Sequence, residues 1–179
     1  MAFLKFVLRE ILVFLLLAVL IVVPFRLFIA QPFVVQGASM EPTYINGEYL
    51  IIDQLSYRFG DPKRGDVITF RYPEDPSVFF IKRIVGLPGE TVVVEDETVT
   101  VTTPGVGTVQ LVEPYAKFDG PLFGRQSLTL DEGEYYVLGD NRPRSADSRV
   151  WGALPEENIM GRAFLRLLPL NNIDYLPGI

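Results

Sequence analysis

"DVITFRYPEDPSVFFIKRIV", residues 66–85, contains two of the runs that decide the fold. In the first run, from Val67 to Tyr72, Val, Thr and Arg alternate with Ile, Phe and Tyr, as they would in a half-buried strand. The second run, residues 78–85, is apolar or aromatic apart from the pair Lys82 and Arg83 within it. Short β-branched and aromatic runs of this kind predict β-strands.

Six further runs of the same kind lie along the chain. They are FVVQ (33–36), EYLIID (48–53), TVVVEDETVTV (91–101), TVQLVE (108–113), EYYVLG (134–139) and RAFLRLL (162–168). The third predicts a hairpin with its turn near Asp96. Because no helical period separates the runs, we expect a mostly β body, either an antiparallel barrel or paired sheets. Residues 95–133 are richer in Thr, Gly and Pro and are expected to form a small insertion on that body.

The longest apolar stretch is ILVFLLLAVLIVVPFRLFIA, residues 11–30, whose one charge is Arg26. As a helix, about 20 residues rise ~30 Å, the thickness of a bilayer's hydrocarbon core. We therefore expect a transmembrane anchor over 11–30. Lys5 and Arg9 precede it, and the positive-inside rule then puts residues 1–10 in the cytoplasm and residues 31–179 outside it.

The alternatives to an anchor are a cleavable signal peptide and a buried soluble helix. A cleavable signal peptide has a shorter apolar region, and a cut after Ala30 would place Phe28 where a small residue is required. A buried soluble helix would carry polar residues on one face, whereas none occurs from Ile11 to Phe25. Both are less favoured than an uncleaved anchor.

Composition excludes several kinds of chemistry. The 179 residues carry a net charge of -6, with no cluster of Lys and Arg to neutralise phosphates, so a nucleic-acid partner is not expected. The chain has no cysteine and no histidine, which excludes disulfides, thiol nucleophiles, the Ser-His-Asp triad and most zinc sites. Hydrolysis would need Ser or Thr with lysine, paired carboxylates, or a hard metal on oxygen ligands.

Three stretches could carry chemistry, although each has an ordinary structural reading. QGASMEPTY, residues 36–44, places Ser39 in a loop, where most serines are structural. Lys82 lies inside an apolar strand; it could reach water with its ammonium, or burial could favour its neutral form and make it a base for serine. GDNRPRSADSR, residues 139–149, is dense in polar groups that could bracket such a base, or it could be a solvated loop.

Together the three stretches resemble the bacterial type I signal peptidases, which are membrane-anchored Ser/Lys endopeptidases. The motifs that carry the resemblance are SMEPT (39–43), RGDVITFRYPEDP (64–76) with IKRIVGLPGE (81–90), and GDNRPRSADSR (139–149). Their order and the preceding apolar stretch also fit. The resemblance covers most of the chain and implies a β-rich catalytic domain over residues 31–179, on the outer face of the bacterial plasma membrane.

The resemblance also implies residue roles. Ser39 would attack the scissile carbonyl, and Lys82 would be the general base and then the general acid. Ser145 would hydrogen-bond the Lys82 amine, and Asp147 and Arg149 would form a supporting ion pair. Substrate would bind as an added strand, with its small residues in shallow pockets. By position, the residues lining those pockets would be Phe33, Val35, Met40, Phe80 and Ile81. The expected partners are preprotein signal peptides and the lipid bilayer, without a cofactor or metal.

The chain departs from the family pattern at two places. Some members carry a serine two positions before the nucleophile as an oxyanion donor, and here that position is Gly37. We expect the hole to be built from backbone N–H groups, mainly that of Ser39, with an amide at or near Gly37 as the second donor. Pro143 and Arg144 stand where Asp and Asn are often found.

Three functions compete at this point. The first is removal of signal peptides after Ala-X-Ala sites. The second is a self-cleaving Ser/Lys protease of the repressor-processing type, which the apolar N-terminal stretch and the acidic charge disfavour. The third is a non-catalytic, membrane-tethered β domain that binds extended peptides, and such a domain would not need a lysine in an apolar strand.

Overall fold

Residues 2–28, 30–120 and 124–178 are described by a computed structural model. Within these ranges the chain begins with a long helix, and strands make up most of the regular structure that follows. The α-helices are α1 (Ala2–Phe28) and α2 (Ser148–Trp151). The strands are β1 (Ala30–Val34), β2 (Tyr49–Asp53), β3 (Val67–Tyr72), β4 (Asp75–Gly86), β5 (Thr91–Glu95), β6 (Thr98–Thr103), β7 (Gly107–Gln110), β8 (Gln126–Thr129), β9 (Glu134–Leu138), β10 (Leu154–Pro155), β11 (Ile159–Leu168) and β12 (Asp174–Tyr175).

The strands form two antiparallel sheets, which confirms the mostly β prediction. The larger sheet has the order β1-β2-β11-β3-β4-β9-β10, with β12 paired to β11, and the smaller has the order β7-β6-β5-β8. In the larger sheet β1 and β10 are the two ends of the described order, so the arrangement is that of paired sheets rather than of a closed barrel. The predicted hairpin forms between β5 and β6, with Asp96 at φ 51° in its turn.

Three strands of the smaller sheet, β6, β7 and β8, lie within the predicted insertion, whereas the sheet itself begins earlier, at Thr91. Residues 121–123 of that prediction lie outside the described residues. Sequence inspection missed β8, β10 and β12 because they are four residues long or shorter and lack an alternating apolar pattern.

Apolar side chains from both sheets share one core. The cluster that joins them comprises Val85, Val92, Val94, Val99, Val101, Leu130, Tyr136 and Leu138. A second cluster lies beneath the loop that follows β1 and joins it to β2 and β4 through Val35, Met40, Leu50 and Ile81, among others. Removing such surface from water stabilises the fold by roughly 25 cal/mol per Å². The loop after β1 and the strand β4, which carry the site described below, are therefore held together by packed apolar side chains.

α1 covers residues 11–28 of the predicted anchor, residue 29 lies outside the described residues, and Ala30 is already the first residue of β1. Large apolar side chains along it are exposed, for example Leu12, Phe14 and Leu16 at 67%, 73% and 66%. Within the described parts of the chain, no helix meets the combined requirement of length and hydropathy for crossing a membrane.

Candidate active site

A buried lysine in an apolar strand meets the serine of the first motif. Lys82 is carried by β4, and Ser39 lies in the loop that follows β1. Lys82 Nζ is 2.8 Å from Ser39 Oγ, and it donates a second hydrogen bond of 2.9 Å to the backbone oxygen of Ile81. Lys82 is only 3% exposed, so its ammonium does not reach water as the structural reading of this lysine had allowed.

Burial lowers the pKa of Lys82 from 10.5 to about 8. Desolvation of the charged amine is the largest cause. The negative charges of Asp147 and Asp140 oppose the shift, while the positive charge of Arg149 adds to it. The ring of Phe80 lies 5.1 Å from Nζ and forms part of the apolar surroundings. A lysine with this pKa can take a proton from a serine near neutral pH.

The Ser39 loop is held against the loop of the third motif. The Asn141 N–H donates to the Ser39 backbone oxygen at 3.0 Å. Gly139 fits between the two loops because it has no side chain. A Cβ there would lie 2.5 Å from the Ser39 oxygen and 2.2 Å from Ser145 Oγ, distances that real Cβ atoms do not show. Glycine at 139 therefore permits a close approach and does more than make a turn.

A buried ion pair supports the same loop. Asp140 accepts from Arg83 Nε at 2.9 Å and from Arg83 Nη2 at 2.7 Å, and it also accepts from the Thr43 hydroxyl. Arg83 and Asp140 are both essentially fully buried. Bidentate pairing of this kind fixes the orientation of both partners. Sequence inspection missed this pair because 57 residues separate its members.

The remaining nitrogen of the Arg83 guanidinium donates to backbone oxygens. Its Nη1 donates to Gly65 O at 2.9 Å and to Gly178 O at 2.6 Å. The neighbouring Pro177 oxygen accepts from the Tyr44 hydroxyl at 2.7 Å. The segment at 177–178 thus contacts the residues that follow the nucleophile, and no motif in the sequence indicated this.

The expected pair of Asp147 and Arg149 is present as a buried bidentate contact. Arg149 Nε donates to Asp147 Oδ1 at 2.8 Å and Arg149 Nη2 donates to Asp147 Oδ2 at 2.8 Å. Asp147 Oδ2 also accepts from the Gly139 N–H at 3.0 Å, and Arg149 Nη2 donates to Arg142 O at 2.7 Å. The pair therefore holds the close-packed glycine through its N–H.

The expected hydrogen bond between Ser145 and Lys82 does not form. Ser145 Oγ is buried and has no hydrogen-bond partner among the described residues. It lies against Gly139, as the clash with a Cβ at that position indicates. The Lys82 amine is instead occupied by Ser39 Oγ and by Ile81 O. The sequence motif brought Ser145 to the site but could not specify the direction of its hydroxyl.

The N–H of Gly37, expected as an oxyanion donor, is not available for that role in this structure. Its N–H donates to Asn46 Oδ1 at 3.0 Å and is therefore already engaged. Gly37 has φ +88°, a conformation that favours glycine, and a Cβ there would meet nothing within 4 Å. By contrast, the Ser39 N–H has no acceptor within the described part of the chain.

A cleft of about 670 Å³ opens beside Ser39 and Lys82. Four of the predicted pocket residues line it, namely Phe33, Val35, Phe80 and Ile81. Met40 does not; it is 1% exposed and packs in the core behind the cleft. The remaining lining residues are Pro32, Val34, Gln36, Gly37, Ala38, Ser39, Leu50, Val78, Phe79, Lys82, Arg144 and Ala146. The cleft is mostly apolar, and two of its lining side chains, Lys82 and Arg144, can carry charge.

Comparison with known proteins identifies the family. The family model described as "Signal peptidase, peptidase S26" matches residues 8–168. The chain is 35% identical to the probable signal peptidase I-1 of Synechocystis sp., with 87% of this chain and 80% of that protein covered. It is 32% identical to the signal peptidase I of Pseudomonas fluorescens, with 88% and 72% covered. A crystal structure of a signal peptidase I from Enterococcus faecalis V583 shares 34% identity and covers 57% of this chain and 97% of its own, with a TM-score of 0.48. The chain belongs to the signal peptidase family, peptidase S26.

Proposed function

We propose that this protein is a serine endopeptidase that removes N-terminal signal peptides from preproteins, cutting after the second small residue of an Ala-X-Ala site. The observation that carries the proposal is the 2.8 Å approach of Ser39 Oγ to the amine of a buried lysine, Lys82, at the side of an apolar cleft. Membership of the signal peptidase family supports the same activity.

The two side chains suffice for both halves of the reaction. Neutral Lys82 takes the proton from Ser39 Oγ as that oxygen attacks the scissile carbonyl. The tetrahedral intermediate then collapses, the carbon–nitrogen bond breaks, and protonated Lys82 gives its proton to the leaving amine. In the second half, the now neutral Lys82 takes a proton from water, whose oxygen attacks the ester carbonyl. The bond between that carbon and Ser39 Oγ then breaks, Lys82 returns the proton to Oγ, and the signal peptide leaves as a carboxylic acid that ionises in water.

The intermediate's negative charge needs hydrogen-bond donors. The Ser39 N–H is the donor that we assign, because it has no acceptor within the described residues and belongs to the nucleophile itself. The Gly37 N–H is excluded while it is bonded to Asn46. Asp147 and Arg149 do not touch the reacting atoms; they position Gly139, whose N–H donates to Asp147. Ser145 packs against the same glycine.

The substrate is proposed to bind as a strand in the cleft. β1 is an end strand of the large sheet, and β4 pairs with β9 only from Arg83 onward. The edge of β4 from Val78 to Lys82 therefore faces the cleft rather than a strand, and an extended peptide can hydrogen-bond to it. Phe33, Val35 and Ile81 then offer shallow apolar surfaces that suit alanine better than larger side chains.

We also propose that residues 11–30 anchor the chain in the bacterial plasma membrane, with residues 31–179 on the extracytoplasmic side. Support comes from the apolar sequence, from Lys5 and Arg9 before it, and from the exposed apolar side chains of α1. Alkaline extraction of membranes from cells that make the full chain tests this. Retention in the membrane fraction is expected, and complete release would refute the anchor.

The alternative function, a non-catalytic domain that binds extended peptides, accounts for the cleft but not for Lys82. Burying a charged lysine lowers the stability of the folded protein, and a binding module would have no use for that lysine. Incubation of the detergent-solubilised full chain with a preprotein that carries an Ala-X-Ala site separates the two. We expect one cut after the second alanine, and none with the Ser39→Ala variant or with Phe in place of that alanine. An intact preprotein after incubation with the active chain would favour the binding module.

A further inference from the structure

Arg144 differs from the other arginines of the third motif. Arg142 is buried and paired with Glu113 at 2.6 Å, and Arg149 is buried and paired with Asp147. Arg144 is exposed, and no described residue accepts from its guanidinium or forms an ion pair with it. Its side chain lines the cleft beside Ser39. Its guanidinium is therefore available to a ligand that enters the cleft.

The cleft has a charge balance opposite to that of the whole chain. The sequence contains 22 Asp and Glu residues against 16 Lys and Arg, yet no carboxylate lines the cleft within the described residues. Its two ionisable side chains are Lys82 and Arg144. Lys82 must be neutral to act as a base, whereas the guanidinium of Arg144 stays charged at every working pH. Among the described residues that line the cleft, Arg144 is thus the one that carries a permanent charge.

Backbone contacts keep Arg144 close to the nucleophile. It ends the 3-10 helix Arg142–Arg144, and its N–H donates to Asn141 O at 3.1 Å. The N–H of the same Asn141 donates to the Ser39 backbone oxygen at 3.0 Å. Two hydrogen bonds and one residue therefore connect the backbone of Arg144 to that of the nucleophile, so Arg144 enters the cleft from the loop that is bonded to Ser39.

We propose that Arg144 is a specificity-determining residue that selects substrates with an Asp or Glu next to the cleavage site. The inference rests on the proposed function. The first and third residues before the cut face apolar pockets, so the carboxylate belongs to the second residue before the cut or to one of the first two after it. A basic residue at that position is disfavoured, because it would place like charges together in the cleft.

The test uses Ala-X-Ala peptides that carry Glu, Gln or Lys at each of these three positions, with kcat/KM measured for the full chain in detergent. At one position at least, we expect Glu to be cleaved faster than Gln, and Gln faster than Lys, by about two- to fivefold per step, the range of an exposed ion pair. High salt should reduce the differences, since the charges are exposed to solvent.

Variants assign the preference to the residue. Arg144→Glu should reverse the order, Arg144→Gln should abolish it, and Arg144→Lys should retain it. Arg125→Glu makes the same change of charge on an exposed arginine that does not line the cleft, and it should keep the wild-type order. Circular dichroism establishes that each variant is folded, and the Gln and Lys variants decide the question if the Glu variant is not.

Three results would overturn the inference. Equal rates for the Glu, Gln and Lys peptides at all three positions would refute it while leaving the proposed function intact. The same preference in Arg144→Gln as in the wild type would assign it to another group. If no peptide is cut at all, the proposed function is itself wrong, and the inference falls with it.

Discussion

The pH dependence of cleavage tests the central assignment most directly. Lys82 acts as a base only when it is neutral, and its folded pKa is about 8 instead of 10.5. About a tenth of the enzyme is then active at pH 7, whereas an unshifted lysine would leave only ~0.03% neutral. Because the neutral form is the active one, kcat should rise with pH, about tenfold for each unit below 7, and level off above pH 9.

The assay is the initial rate of cleavage of a saturating Ala-X-Ala peptide that has no group titrating between pH 6 and 10. Total gain from pH 7 to the plateau should be about tenfold, which corresponds to about 1.4 kcal/mol of barrier. Lys82→Arg should be inactive throughout, since its guanidinium keeps its proton. A plateau already reached at pH 6.5, or a rate that still rises tenfold between pH 9 and 10, would refute a buried lysine base.

The remaining predictions concern the same site and its support. Ser39→Ala and Lys82→Ala should each abolish cleavage, and the double variant should be no worse than either, since the two act as a unit; a residual rate that falls further in the double variant would contradict this. The free energy of unfolding of Lys82→Met should exceed that of the wild type by about 3 kcal/mol more at pH 7 than at pH 10.5. The reason is that the lowered pKa of folded Lys82 destabilises the wild type fully below about pH 8, and this cost disappears as the pH rises toward 10.5. Denaturant unfolding at both pH values measures the difference, and an equal difference at both would exclude the pKa shift. Gly37→Ser should leave kcat level or lower it, since φ at this position is +88° and the N–H is already bonded to Asn46. A tenfold rise in kcat would show that the enzyme lacks a hydroxyl donor at this position. Gly178→Ala should lower kcat, because its Cβ would lie 2.3 Å from a side chain that follows the nucleophile, whereas Gly105→Ala, at a similar φ but in open space, should not; equal kcat values for the two variants would remove the 177–178 segment from the site.

Local pattern was enough to predict most of the strands. The two-residue alternation from Val67 to Tyr72 predicted a strand correctly but its burial wrongly, because Val67 to Phe70 are buried on both faces and Arg71 is the exposed residue of the strand. Asp96 marked a turn because short polar residues tolerate positive φ. Lys82 stood out because a charge inside an apolar run is costly unless something uses it. These inferences need only neighbouring residues, which is why the sequence alone supports them.

The arrangement of the site was decided by long-range packing. Ser39 and Lys82 are 43 residues apart, and they meet because the loop after β1 is packed over β4 on a shared core. The pairing of Arg83 with Asp140 likewise joins β4 to the loop that follows β9. Sequence pattern has no access to such distances, because strand order is not encoded in local periodicity.

Side-chain direction was the other property that only the tertiary structure decided. The sequence placed Ser145 and Gly37 at the site, yet it predicted a hydrogen bond for the first and a free N–H for the second, and neither is present. A motif specifies which residues come together, since the spacing of a short loop is local. Where a hydroxyl points, and which acceptor occupies an N–H, depends on neighbours such as Gly139 and Asn46 that the fold brings in. The sequence by itself therefore determined the strands, the candidate residues and the family resemblance, and packing between distant segments determined the geometry through which those residues can act.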